Sequence, residues 1–157
     1  MTHFDLRALV AALHERSVEY VVVGGVAVTA HGYVRSTQDL DIVPDPEPVN
    51  LRRLADALVG LEAVLPLAGG RRFELARDLR LLERRQSMTL ETREGGLDVV
   101  QRAPGVPSFA TLAEDAVDAE VLGVPVRICS LPRLREMKVA GGRAQDLADL
   151  ENLPDDD

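Results

Sequence analysis

The chain has 157 residues, 46% of them hydrophobic and 28% charged, which suits one compact domain with a real core and leaves no room for a separate substrate domain. No apolar run approaches membrane-spanning length, and the opening MTHFDLRALV lacks the basic start of a secretory signal, so a cytoplasmic setting without a membrane is expected. A net charge of −8 excludes non-specific nucleic-acid binding by the whole surface, and the lone Cys129 excludes an internal disulfide or a cysteine-built zinc cluster. With aromatics at 3% and no Trp, the core must come from Leu, Val and Ala.

Phe4, Leu6, Leu9, Val10 and Leu13 recur at near-helical spacing and predict an amphipathic first helix that Asp5 can cap. Tyr20-Val21-Val22-Val23 is β-branched and apolar, the pattern of a buried strand, and Gly24-Gly25 ends it. VAVTAH then predicts a short helix closed by Gly32. The loop YVRST leads into a strand DLDIV that Pro44 and Pro46 terminate. Leu51, Leu54, Leu58 and Leu61 mark a strong helix over 49–61.

Further on, Arg72-Phe73-Glu74-Leu75 fits either a short strand or a turn. Met88–Thr92 fits a strand, Gly95-Gly96 a turn, and Leu97-Asp98-Val99-Val100 the return strand of a hairpin. Phe109–Ala116 predicts a helix, EVLGVPVRICS a second hairpin turning at Gly123, and the last segment two helices separated by Gly141-Gly142. This order means an α+β or mixed α/β fold, a single domain with a mixed sheet flanked by helices. Arg71, Arg72, Arg77, Arg80, Arg84, Arg85 and Arg93 crowd the middle, as a salt-bridged solvated face or as a surface for a polyanion, whereas Asp155, Asp156 and Asp157 end the chain.

The informative chemistry lies in Asp39 and Asp41. Side chains alternate along a strand, so these two share one face while Leu40 and Ile42 point into the core. Neighbouring carboxylates repel unless a cation or proton lies between them. LDVV repeats the form of LDIV, which makes Asp98 the candidate third carboxylate from an adjacent strand. Such a set suits Mg²⁺, and two ions held by carboxylates stabilise the charge that builds during nucleotidyl transfer. Phosphate donors are available at Gly24 and Gly25, whose backbone no Cβ obstructs, and at Arg35, Ser36 and Thr37 just before the acidic strand. Lys138 and Arg143 are later cations that the fold can return to a triphosphate, or that pair with Glu136 and Asp146. His31 suits capping or packing, Cys129 a buried inert thiol, and Asp45 the turn after the strand.

The pattern GG-V-A-V-x-x-H-G-x-x-R-S-T-x-D-L-D-I resembles the polymerase-β nucleotidyltransferase superfamily, closest to its AbiEii-like and minimal nucleotidyltransferase group, many members of which belong to toxin–antitoxin systems. The ending LREMKVAGGRAQDLADLENL is similar to that group's tail. The resemblance implies a nucleotidyltransferase domain, taken over 1–153, and the run of terminal aspartates predicts a disordered acidic tail over 154–157. It also implies an NTP such as ATP as substrate, two Mg²⁺ ions, and catalytic, metal-binding roles for Asp39, Asp41 and Asp98. Phosphate contacts would fall to Gly24, Gly25 and Arg35. An RNA, a protein or a small molecule would supply the acceptor hydroxyl, and a cognate toxin or antitoxin partner or a homodimer would fit. Val26 stands where several branches carry a hydroxyl, and Gln145 stands in place of the usual Lys before Asp146. Many AbiEii-type enzymes carry a large C-terminal acceptor domain and none follows here, which favours a partner or a dimer. A function of another class, an antitoxin-like interaction subunit with the same fold, has no need for three converging carboxylates.

Overall fold

The computed structural model describes residues 3–155. Helix α1 (Leu6–Glu15) opens where Asp5 accepts a hydrogen bond from the Ala8 amide at 3.0 Å, and it buries Leu9, Val10 and Leu13. Strand β1 (Tyr20–Val23) is buried throughout. Helix α2 (Gly24–Ala30) starts at the first glycine itself, and His31 closes it while its Nε2 meets the Cys129 carbonyl at 2.7 Å. Strand β2 (Asp39–Pro44) includes Pro44 as its last residue, one position beyond the sequence expectation. Helix α3 (Pro48–Gly60) carries its proline in the first turn, where no intrahelical donor is needed.

Strands β3 (Val64–Pro66) and β4 (Arg72–Glu74) form a short edge hairpin, followed by a small helix α4 (Arg80–Glu83). The expected hairpin exists as β5 (Met88–Thr92) and β6 (Gly95–Val99), but Gly95 and Gly96 lie inside β6 and the turn falls on Arg93-Glu94. Helix α5 (Phe109–Glu114) precedes the hairpin β7 (Val117–Val121) and β8 (Val124–Ile128). Helix α6 (Leu131–Gly141) ends on left-handed Gly142, and α7 (Ala144–Asn152) follows. Of the expected acidic tail, Pro154 and Asp155 are exposed without regular structure, and residues 156–157 lie outside the described ones.

All eight strands join one mixed sheet in the order β4-β3-β5-β6-β2-β1-β8-β7. At its centre β2 runs parallel to β6 and antiparallel to β1, and β1 runs parallel to β8. Leu40, Ile42, Leu97 and Val99 are fully buried, each worth about 1.5–3 kcal/mol relative to exposure. Helix α1 packs on α3, β7 and β8, whereas α2 packs on β1, β2 and α6. The pleat turns the intervening residues of β2 and β6 to the opposite face, which is where the acids stand.

Candidate active site

Buried apolar residues pin the register of β2 and β6, and that register decides where the acids go. Asp41 pairs with Asp98 and Asp39 with Gly96 in the parallel ladder, so the three carboxylates rise from one face of two neighbouring strands. Two glycines make room for them. A Cβ on Gly96 would lie 1.9 Å from Asp39 Oδ1, and a Cβ on Gly24, whose φ is +70°, would lie 1.9 Å from Asp41 Oδ2. Gly24 is therefore required twice, by its left-handed backbone and by the carboxylate that fills its side-chain space.

Asp41 and Asp98 are half-buried, and each has one buried carboxylate oxygen, Oδ1, with no hydrogen-bond partner among the described residues. Burial, with the Asp98 carboxyl beside it and the Asp39 charge nearby, pushes Asp41 up to about 8. Burial also raises Asp98, against contacts with Asp41 and Thr89 that pull it down. At neutral pH the pair thus favours keeping a proton, or giving it up to a cation. All the potential ligands are hard oxygens with vacant lone pairs, a donor set that fits Mg²⁺.

Opposite the acids stands a cationic layer built on α6 and α7. Lys138 is buried and reaches Asp146 at 3.2 Å and Asp149 at 3.0 Å. Arg35 grips Asp149 through two bonds, Nε at 2.7 Å and Nη2 at 2.9 Å, and Gln145 adds a third donor at 2.9 Å. Arg143 is the N-cap of α7 and binds Asp146 through Nε at 2.9 Å, while most of its side chain stays in solvent. Burial works against ionising Asp146, but hydrogen bonds from Arg143 and Lys138 overcome it and hold the carboxyl down at about 2. Asp149 is depressed in the same way, burial opposing and Arg35, Lys138 and Gln145 prevailing.

Gly24, Asp41, Lys138, Arg143 and Asp146 line one cleft of about 230 Å³, walled by Pro104-Gly105-Val106. Gly25 lies beside Thr37 and Arg35, since a Cβ there would come within 2.9 Å of Thr37 Oγ1 and 3.3 Å of Arg35 Nη1. Thr37 donates to the Asp39 carbonyl at 3.2 Å. Ser36 is exposed, and only its carbonyl takes part, accepting from Arg35 at 3.2 Å. The structure therefore gathers Gly24, Asp39, Asp41, Asp98, Lys138 and Arg143, places Gly25, Arg35 and Thr37 at the flank, and leaves the Ser36 hydroxyl outside. Sequence reasoning missed Asp149 and Gly96. The available signal was the spacing Asp146-x-x-Asp149, which puts two acids on one helical face.

The tightest grouping of metal-capable side chains among the described residues is elsewhere, at His3, Asp5 and Glu94, with ligand atoms within 4.8 Å of one another. Its members are already engaged, Asp5 as the α1 cap and Glu94 with His3 at 3.6 Å and Arg93 at 3.7 Å. Among the described residues, no helix is long and apolar enough to cross a membrane.

No family model and no curated protein matches the sequence. Several solved structures share the fold, among them the following two. A Thermotoga maritima protein provisionally described as a nucleotidyltransferase aligns over 93% of this chain and 88% of its own, with a TM-score of 0.61 at 15% identity. The antibiotic-resistance factor ANT(2'')-Ia, solved in solution with substrate-regulated conformational dynamics, aligns over 83% of this chain with a TM-score of 0.52 at 21% identity. The chain spans 65% of that protein's length. The fold is the mixed sheet flanked by helices of these nucleotidyltransferase-type structures.

Proposed function

We propose that this chain is a divalent-metal-dependent nucleotidyltransferase that moves a nucleoside monophosphate from an NTP to a hydroxyl acceptor. One observation carries the proposal: Asp41 and Asp98 meet in register with their Oδ1 atoms buried and without a hydrogen-bond partner among the described residues. A structural pair so placed would cost stability without return, whereas a cation turns both orphan oxygens into ligands.

Asp39, Asp41 and Asp98 would hold the metal, two Mg²⁺ ions in the fuller form of the proposal. Bound there, the metal supplies Lewis-acid stabilisation of the attacking and leaving oxygens. The remaining work falls to the chain. Gly24 and Gly25 leave their backbone open to the triphosphate. Lys138, Arg35 and Arg143 are three cations on two carboxylates, Asp146 and Asp149, which leaves one net positive charge facing the acids. Arg143, with 80% of its side chain exposed, is the cation that would exchange its Asp146 contacts for the phosphates. Asp98 takes the acceptor proton as the new bond forms at the α-phosphorus, the bond to the β-phosphate oxygen breaks, and pyrophosphate leaves. Thr37 keeps the Asp39 backbone in place, and Ser36 contributes only if the 35–37 loop turns inward.

Service in a toxin–antitoxin pair, with RNA or protein as acceptor, rests on the sequence resemblance alone. The test is transfer of label from α-labelled NTPs, with Mg²⁺, to the protein itself, to tRNA or to a co-purified protein. Transfer that disappears in Asp41→Asn is expected. Transfer that survives this change overturns the mechanism.

A further inference from the structure

The acid-bearing face of the sheet does not end at Asp41 and Asp98. Two residues beyond each acid, Val43 on β2 and Val100 just past the end of β6 line a second cleft of about 490 Å³. Val100 and Val106 line both cavities, so the second opens beside the first. Its volume lies in the range that takes a drug-sized ligand.

The lining of this second cleft is chemically uncommitted. Gln101 is only 7% exposed, its Nε2 makes two long contacts at 3.5 Å, and its Oε1 has no partner among the described residues. Arg85 Nε is buried and unpartnered in the same way. Neither the Arg85 nor the Arg102 guanidinium forms a hydrogen bond or ion pair among the described residues. Both arginines hold left-handed backbones, φ +57° and +51°, which non-glycine residues rarely adopt. By contrast Arg72, Arg77 and Arg80, from the same arginine-rich stretch, each sit on a carboxylate. Asp45 and Glu47 add acceptors at the rim, and Phe109 with the prolines adds apolar wall.

We propose that this cleft binds the acceptor, and that the acceptor is a phosphate-bearing nucleoside. Arg85 and Arg102 take the phosphate, Gln101 Oε1 and the rim carboxylates take hydroxyl or amino donors, and Phe109 with its prolines covers the ring. A polycation is disfavoured by the two guanidiniums, and a purely apolar ligand would strand Gln101. The term acceptor rests on the transferase proposal, but the binding chemistry does not.

The experiment measures fluorescence anisotropy of two probes, labelled uridine 5′-monophosphate and a labelled short oligouridylate, with EDTA present and no NTP. Wild type binds at least one. Arg85→Gln and Arg102→Gln each weaken binding roughly tenfold, the cost of one charged contact. Arg102→Lys, which keeps the charge, stays within a few-fold of wild type and guards against a folding artefact. Asp41→Asn and Arg143→Gln leave binding unchanged. Equal affinity for the two probes identifies a free nucleotide as the source, and tighter oligouridylate binding identifies a nucleic-acid end; both support the cleft. Absence of binding in wild type overturns it. So does loss only in Arg143→Gln, which would place the probe at the acidic site. If label transfer fails while this binding holds, the transferase proposal falls and the cleft stands.

Discussion

Asp41 and Asp146 line one cleft, and each belongs to a group of aspartates whose electrostatics are opposite to the other's. On β2 and β6, Asp39, Asp41 and Asp98 share one face with two buried oxygens unpartnered among the described residues, and burial drives Asp41 up to about 8. On α7, Asp146 and Asp149 expose almost no surface, yet each is engaged by cations, and Asp146 is held down at about 2 by Arg143 and Lys138. Burial alone therefore does not mark a binding carboxylate. An unmet need for a cation does, and the helical pair shows what the same residue type looks like once that need is met from within the chain.

The largest expected break in this contrast is catalytic. Asp41→Asn and Asp98→Asn should each lower label transfer on the order of a thousandfold, while the metal-free protein melts at the same temperature or higher because repulsion is relieved. Asp149→Asn should do the reverse to stability. It leaves Arg35 beside a neutral amide and Lys138 with Asp146 alone, costs about 3 kcal/mol, and lowers the melting temperature on the order of 10 °C in a calorimetric scan. If both substitutions destabilise alike, the two groups are not distinct.

Next in size is the space around the acids. Gly24→Ala puts a methyl where Asp41 Oδ2 lies and fixes an unfavourable φ, so a loss of about 1–3 kcal/mol in urea unfolding is expected. Gly32→Ala is the internal reference, because its φ is also positive, +116°, but nothing lies within 4 Å of the added carbon. The smaller loss at Gly32 isolates the steric part.

The two groups also predict opposite pH slopes. Asp41 is raised in the folded state, so its contribution is fully present below about 3.8 and is lost as pH climbs through about 8. Asp146 is depressed, so its contribution is present above 3.8 and is lost as pH falls through about 2. Metal-free protein should thus lose stability from mildly acidic pH toward pH 8, a decline that Asp41→Asn flattens and Mg²⁺ offsets. The smallest effect belongs to the solvated arginines: Arg72→Ala breaks an exposed pair with Glu91 and should cost less than about 1 kcal/mol by the same scan.

The acidic strand was legible because alternation is local. Leu40 and Ile42 must be buried, so Asp39 and Asp41 must share the other face, and LDVV gives Asp98 the same logic. That Asp41 faces Asp98 in a parallel ladder is a matter of register between strands far apart in sequence, which no local pattern encodes. Gly95-Gly96 looked like a turn because glycine pairs usually are; here Gly96 is a strand residue that leaves room for Asp39, and Gly95 would clash with Phe4 if it bore a side chain. Strand β3 has three residues and ends in proline, too short for periodicity to show. The grip of Asp149 on Arg35 spans 114 positions and depends on the packing of α7 against the site. Within the arginine-rich middle, Arg72, Arg77 and Arg80 are paired surface arginines, as one of the two expectations for that stretch had it.

The most direct measurement is metal binding to the metal-free protein, followed by the loss of the free Mn²⁺ signal in electron paramagnetic resonance. Saturable binding is predicted for wild type, weakened in Asp41→Asn and in Asp98→Asn by more than the roughly 10–100-fold that an outer-shell change costs. Wild-type protein that takes up no Mn²⁺, or variants that take it up as tightly, would contradict the assignment of these carboxylates as a metal site.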